Sequence, residues 1–467
     1  MSQLVQIGNP DVSRRPGAPR PALSVGGEAR LSNPERVAAA LTAVGAVLFL
    51  LSFVAPLRGW GVLLASVVLF GGGASSFFWF AYRDTTPGIK NHGMWTHGAT
   101  ARGWIGWVLG VALTGFYCLL YWFPKPLEGG IRLMDPLALA VSGKDADQWF
   151  LYGFLYTIAV LVMGFRMLLR YRHNRYQQVR TVSVMFFQLG FGFLIPQVLK
   201  AMNQPDFYFT YFWPLKPEYL LPFSIGWTWD ASHLGPAMIV WGAVMTFIAT
   251  PLLTWRFGKR WYCSWVCGCG GLAETMGDPF RHLSDNSLRA WRIERWMIHS
   301  VLLLITVVTI GGWAHHALGN PIWGDGGQAF YYKTYGFVIG ALFSGVIGVG
   351  FYPLMGSRVW CRFGCPMAAV LGIIQRFFSR FRITTNGGQC ISCGNCSTYC
   401  EMGIDVRSYA QRGENIVRAS CVGCGVCAAV CPRGVLKLEN GPVGDRFPRA
   451  SRPLRALQES LGLKPRK

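Results

Sequence analysis

Eight cysteines near the C-terminus have the type and spacing to hold iron. They read C-x2-C-x2-C-x3-C twice, as Cys390, Cys393, Cys396 and Cys400, then Cys421, Cys424, Cys427 and Cys431, with Pro432 closing the second run. A [4Fe–4S] cluster takes four thiolates, and in two-cluster ferredoxins the fourth cysteine of each run ligates the other cluster. The motif therefore predicts one cluster on Cys390, Cys393, Cys396 and Cys431, and a second on Cys421, Cys424, Cys427 and Cys400. Gly394 and Gly425, directly after ligands, suit a chain folded tightly around a cluster. Paired C-x2-C also serves zinc, but the doubled four-cysteine run is the more specific signal. The chemistry is the carriage of single electrons.

A second cysteine set lies upstream. Gly258-Lys-Arg260-Trp-Tyr-Cys263-Ser-Trp-Val-Cys267 and Gly356-Ser-Arg358-Val-Trp-Cys361-Arg-Phe-Gly-Cys365 share the pattern G-x-R-x-x-C-x3-C at an offset of 98 residues. Both follow an apolar run, as in the weak internal repeats of membrane carriers. Three readings stand for Cys263, Cys267, Cys361 and Cys365: ligands of a further cluster or thiophilic metal, a thiol redox or assembly device, or buried structural thiols. Cys269 is an alternative ligand to Cys267, and Cys118, inside an apolar run, reads as packing.

Aromatic residues crowd 204–229 and 313–335, and His233, His315 and His316 fall beside them. The ordinary interfacial aromatic belt accounts for such stretches. The functional reading is a quinone pocket, with an imidazole taking a quinol proton and Asp230 orienting His233. Haem b is disfavoured, because no histidine pair sits centrally on two facing helices. His299 lies within an apolar run, and Arg166 sits near enough to a run's end to snorkel.

These groups must be positioned by membrane helices. The chain is 52% hydrophobic and only 14% charged, against roughly 25% charged in soluble proteins. Eight apolar runs are long enough to span a bilayer, at about 37–57, 60–82, 104–123, 150–169, 181–199, 232–253, 296–313 and 336–355. With the N-terminus cytoplasmic, Lys and Arg divide 19 to 7 in favour of the cytoplasmic loops. The expected fold is a polytopic α-helical membrane protein of about eight spans with a C-terminal 2[4Fe–4S] bacterial-ferredoxin-like α+β domain. Residues 1–33 read as a disordered tail without a cleavable signal, 34–200 as a five-span module, 201–382 as a three-span module with the C-x3-C repeats, 383–440 as the ferredoxin domain and 441–467 as a basic tail. The net charge of +22 is largely the positive-inside bias and its contact with anionic lipid, not nucleic-acid binding. The expected location is the bacterial cytoplasmic (inner) membrane, with N-terminus and ferredoxin domain cytoplasmic.

From about Ser232 to Leu438 the constellation resembles the NapH/NosR-type membrane polyferredoxins, to which CcoG-type proteins are related. On that resemblance the motif cysteines are Cys263, Cys267, Cys361 and Cys365, and the cluster ligands are the eight already named. Two departures stand: Gly268-Cys269 follows the first pair where proline is expected, and five spans precede the matching part. The resemblance implies electron transfer between the quinone pool, or a membrane or periplasmic partner, and the cytoplasmic clusters. A soluble ferredoxin, flavodoxin or redox-complex subunit would meet them there, steered by Arg407, Arg412, Arg418 and Arg433. A quinol dehydrogenase or ferredoxin:quinone oxidoreductase component fits this chemistry. The competing reading is an assembly factor that reduces a metal or disulfide for another enzyme.

Overall fold

The computed structural model describes residues 31–83, 100–319, 333–386 and 389–441. Most of both expected tails and part of the second aromatic stretch lie outside these residues. Among the described residues, eight helices are long and apolar enough to cross a membrane: α1 (Asn33–Leu51), α2 (Trp60–Arg83), α3 (Trp104–Trp122), α4 (Gln148–Arg170), α5 (Arg175–Ala201), α6 (Gly235–Phe257), α7 (Leu288–Ala317) and α8 (Lys333–Gly350). Each overlaps one of the eight apolar runs. Local chemistry sets several starts. Glu35 accepts from both the backbone N–H and the hydroxyl of Ser32, and Asp147, Asn174 and Ser287 each accept a first-turn backbone N–H of α4, α5 and α7.

The structure extends α7 several residues ahead of its apolar run, because Ser287 caps it there and the basic turn Arg289–Arg295 can project past the apolar layer. The α1–α2 hairpin packs backbone to backbone: a Cβ on Gly45 would collide with Phe70, and one on Gly73 with Thr42. Such close approach is what small residues permit between apolar helices.

Two segments fold back into the helical layer instead of remaining surface loops. After α6, the chain forms the short helices Arg260–Cys263 and Gly268–Thr275 and a 3-10 turn at Asp278–Leu283. After α8 come Tyr352–Met355, Val359–Phe363 and α9 (Pro366–Phe377). The first segment reaches well along α5. The hydroxyl of Ser183 donates to the carbonyl of Trp265 at 3.1 Å, and Gly268 faces Gln188. From the opposite face, the segment between α5 and α6 dips inward to meet it, with Tyr262 Oη donating to the Thr210 carbonyl at 2.7 Å and Phe212 edge-on to Tyr262. The cysteine pairs follow the ends of α6 and α8 as expected, and the segments carrying them fold back against the middle of α5 and α8, with Gly268 near Gln188 and Gly364 near Phe343. Irregular backbone at that depth is tolerated because protein buries it.

The C-terminal domain carries β1 (Phe381–Thr384) paired antiparallel with β2 (Lys437–Asn440), in the register Phe381↔Asn440 to Thr384↔Lys437. It is docked on the helices by side chains that donate to its backbone carbonyls: Tyr176 to Gly423, Gln177 to Cys424, Lys259 to Ala419, Ser264 to Val422, and Gln375 to both Arg418 and Cys421. One apolar core runs from Phe212 and Tyr262 through Cys263, Cys267, Cys361 and Cys365 into Ile404, Val422 and Leu436 of this domain.

Candidate functional site

Each C-terminal cysteine run has the same local build. Gly394 (φ 81°) and Gly425 (φ 74°) adopt the left-handed conformation just before the short helices Asn395–Thr398 and Val426–Ala429, which carry Cys396 and Cys427. A side chain would be strained at either glycine. The turns aim three cysteines of each run inward, and two small cavities result. One is lined by Cys390, Cys393, Cys396 and Cys431, the other by Cys400, Cys421, Cys424 and Cys427. These are the two quartets the motif predicts, each with three cysteines from one run and the last from the other.

The cavities fit a cluster rather than a single zinc ion. Tetrahedral thiolates at a Zn–S distance of roughly 2.3 Å would hold their sulfurs ~3.8 Å apart. Among the described residues, no three cysteine sulfurs lie within 4.8 Å of one another. Backbone N–H groups of Ser392 and Ile404 already point at the sulfurs of Cys390 and Cys400, each at 3.4 Å. Burial pushes the Cys396 thiol up to about 11 and the Cys400 thiol up to about 12; a cation held there would stabilise the thiolates against that burial. The cavities differ in access. Cys393 is exposed on the first, whereas Cys421 and Cys427 are buried on the second, which faces the helices.

The upstream pairs are built as a repeat in three dimensions. Cys263 and Cys361 lie in the short helices, while Cys267 and Cys365 cap Gly268–Thr275 and α9. The N–H of Cys267 donates to the Tyr262 carbonyl, and that of Cys365 to the equivalent Trp360 carbonyl. All four are buried in one core. Cys269, the alternative ligand, lies two residues beyond Cys267 and is half-buried.

Between the two cysteine regions lies a charge network that motif reading does not reveal. Five guanidiniums (Arg166, Arg170, Arg180, Arg281, Arg358) share three carboxylates (Glu274, Asp278, Glu401). Asp278 accepts from Arg166 at 2.7 Å, Arg170 at 2.6 Å and Arg281 at 2.7 Å. Arg166 is therefore not a snorkelling residue: it turns inward to a buried partner. Arg358 spans the interval, donating to Glu274 at 2.5 Å and to the sulfur of Cys361 at 3.7 Å. Glu274 and Glu401 also come within 4.8 Å of the Cys424 sulfur. A cation site there is disfavoured by the guanidiniums that clamp both carboxylates.

Burial opposes the charge of Asp278, yet Arg170, Arg166 and Arg281 outweigh it and hold the carboxyl below the usual carboxylate range. Its contribution is complete above the unfolded carboxylate pKa and is lost as pH falls through the folded one. Asp278→Asn strands these guanidiniums and is expected to cost about 3–5 kcal/mol. An unfolding midpoint in detergent equal to wild type at neutral pH would contradict this.

A cavity of about 510 Å³ lies along α4 and α5, within the roughly 300–1,000 Å³ of small-molecule sites. Exposed Lys144, Asp147 and Asp206 stand at its mouth, while Tyr152, Tyr156, Gln188 and Tyr211 lead inward to Cys269. The lining thus ends on the cysteine region. The candidate histidines are elsewhere. His233 and His316 are exposed and His315 is half-buried, and none of them lines this cavity. The aromatic stretch 204–229 instead packs on itself and its neighbours, with Phe207 stacked on Tyr219 and Trp241 donating to the Phe209 carbonyl. His299 lines a different cavity beside Lys259 and Arg295.

Comparison with known proteins bears on these sites. Residues 389–436 match a 4Fe–4S dicluster domain. The C-terminal domain is of the 4Fe–4S ferredoxin type. A second family, a 4Fe–4S binding domain, matches twice, at 239–286 and 337–384, the offset at which the cysteine pairs repeat. The Escherichia coli (strain K12) protein YccM, named for a proposed role in electron transport, is 27% identical over 177 residues, 36% of this chain. The match covers 47% of YccM, so the chain spans about half the length of this relative. No solved structure matches. The protein thus combines iron–sulfur binding domains with a multi-pass helical membrane region.

Proposed function

We propose that this chain passes single electrons between a quinone-class molecule in the helical layer and [4Fe–4S] clusters in the ferredoxin-type domain. The observation that carries the reading is the tyrosine-lined cavity whose inner end is Cys269. Cys263, Cys267, Cys361 and Cys365 would hold the first redox centre. Cys400, Cys421, Cys424 and Cys427 would hold the next, and Cys390, Cys393, Cys396 and Cys431 the outermost. A bound [4Fe–4S] cluster takes up and returns one electron at a time.

The chain's own residues do the rest. Tyr156, Gln188 and Tyr211 offer hydrogen-bonding groups to the oxygens of a flat ring, and Tyr152 and Phe193 pack against it. A quinol becoming a quinone releases two electrons and two protons. The electrons leave one at a time past Cys269, and the carboxylates of Asp147 and Asp206 at the mouth give the protons a way out. At the far end, exposed Arg407 and Arg433 flank the cavity beside Cys393, a surface suited to an acidic soluble carrier. On this reading the chain is a NapH/NosR-type membrane polyferredoxin of the bacterial inner membrane, with the N-terminus and ferredoxin-type domain cytoplasmic. The Lys and Arg bias of the loops supports that orientation.

The test uses anaerobically purified full-length protein and a short-chain quinol, with cluster reduction followed by absorbance and EPR. The reverse run reoxidises dithionite-reduced protein with the quinone. Tyr156→Phe combined with Gln188→Leu is expected to slow exchange at least tenfold, about 1.4 kcal/mol in the barrier, with dithionite reduction intact. Full-rate exchange in the double variant would take the cavity out of the path. Wild-type clusters that respond to dithionite but to neither quinol nor quinone would reject the quinone and favour an assembly role.

A further inference from the structure

We propose that Lys259 and Arg358, one from each repeat, form a cationic bridge that offsets the negative charge of the cluster-binding sites on either side and raises their reduction potentials. This goes beyond the electron path above, and its test reads the cluster at Cys400, Cys421, Cys424 and Cys427, whose presence wild-type iron content checks separately.

Each repeat places a buried cation shortly before its first cysteine, one residue apart in the repeat register. Lys259 is the residue after Gly258 and Arg358 the second after Gly356, each shortly before the first cysteine of its pair. Both are 1% exposed. Lys259 reaches from the Cys263 segment to the Ala419 carbonyl, two residues from Cys421, at 2.7 Å. Arg358 contacts the Cys263 carbonyl at 3.2 Å and the Cys361 sulfur at 3.7 Å, and pairs with Glu401, next to Cys400, at 3.0 Å. Arg260, the direct repeat counterpart of Arg358, is diverted: its guanidinium lies over the rings of Phe381 and Tyr176. Lys259 takes the buried position in its place.

Charge balance gives the bridge its purpose. Five guanidiniums linked to three carboxylates leave an excess of two positive charges, and Lys259 adds another at the Ala419 carbonyl near Cys421. Buried charge without compensation is costly. A cube held by four thiolates is an anion that becomes more negative on reduction, so it supplies the missing charge. The same field favours its reduced form. Charge and hydrogen bonds to sulfur are the terms that set cluster potentials. A merely structural network would need no excess of one sign.

The experiment is an EPR-monitored redox titration of the full-length protein with Arg358→Gln, Arg358→Lys, Lys259→Met and Lys259→Arg. At a fixed ambient potential, Arg358→Gln and Lys259→Met are expected to shift the oxidised-to-reduced ratio of the cluster at least tenfold toward oxidised, ~59 mV for a one-electron couple. The charge-preserving variants should restore most of the shift. Loss of the cluster in the neutral variant but not in its charged counterpart supports the same assignment. Unchanged ratio and iron content in both neutral variants would overturn it. So would equal loss in the neutral and charge-preserving variants, which assigns the role to shape.

Discussion

Anaerobically purified protein should carry about twelve irons per chain, and Cys361→Ser should remove about four of them while leaving the ferredoxin-type pair. Cys263, Cys267, Cys361 and Cys365 are all buried in one core within the helical layer, reached by two copies of one backbone design. Free thiols used only as packing would not need the second cysteine of each pair to stand at the matching N-cap position of a helix, nor an arginine donating to one of the sulfurs. The two matches to a 4Fe–4S binding domain cover the same segments. Cys267→Ser should have the milder effect, because Cys269 stands two residues away on the same segment as a replacement thiol, and Cys267→Ser with Cys269→Ser should match Cys361→Ser. About eight irons in wild type, unchanged by Cys361→Ser, would make these residues thiols and leave the quinone path without its first step.

What the sequence made legible follows from how local each signal is. The C-x2-C-x2-C-x3-C runs fix three ligands within one tight turn, so their spacing alone anticipates the cavities the structure lines with them. The bilayer sets the length of a span, so eight apolar runs became eight helices with shifted ends. The rest depends on residues far apart in the chain. Arg166 looked like a snorkelling residue because its partner Asp278 is 112 positions away. Glu401 directly follows Cys400 and Glu274 lies in a short segment after Cys267, but only folding brings the two carboxylates together at Cys424. Charged residues placed at span ends and in a cysteine-bearing loop were the available hint, since such groups are rarely buried unless paired. In the sequence, imidazole chemistry and nearness to aromatics point to His233, His315 and His316 as quinone-side residues. The cavity that reaches a cysteine is instead formed by tyrosines of α4 and the loop at Tyr211, and no sequence period marks it.

The same long-range contacts predict that the two ferredoxin-type quartets will respond differently to loss of one ligand. Cys393→Ala should remove about four irons but leave the domain docked, because Cys393 is exposed and lies away from the helices. Cys424→Ala should remove a similar amount and also loosen the domain. The Cys424 carbonyl accepts from Gln177 at 2.7 Å, and its sulfur faces Glu274 and Glu401. Without the anionic cluster beside it, the network keeps its excess of guanidinium charge with nothing to balance it, and burial makes that imbalance expensive. Limited proteolysis reads the difference, since cleavage tracks how often the docked surface opens. The segment between α9 and β1 should be cut about tenfold faster in Cys424→Ala than in Cys393→Ala, and exchange of electrons with the membrane side should be lost in the former. Equal proteolysis in the two variants would mean that direct side-chain bonds alone hold the domain, and that the charge network is balanced without the cluster.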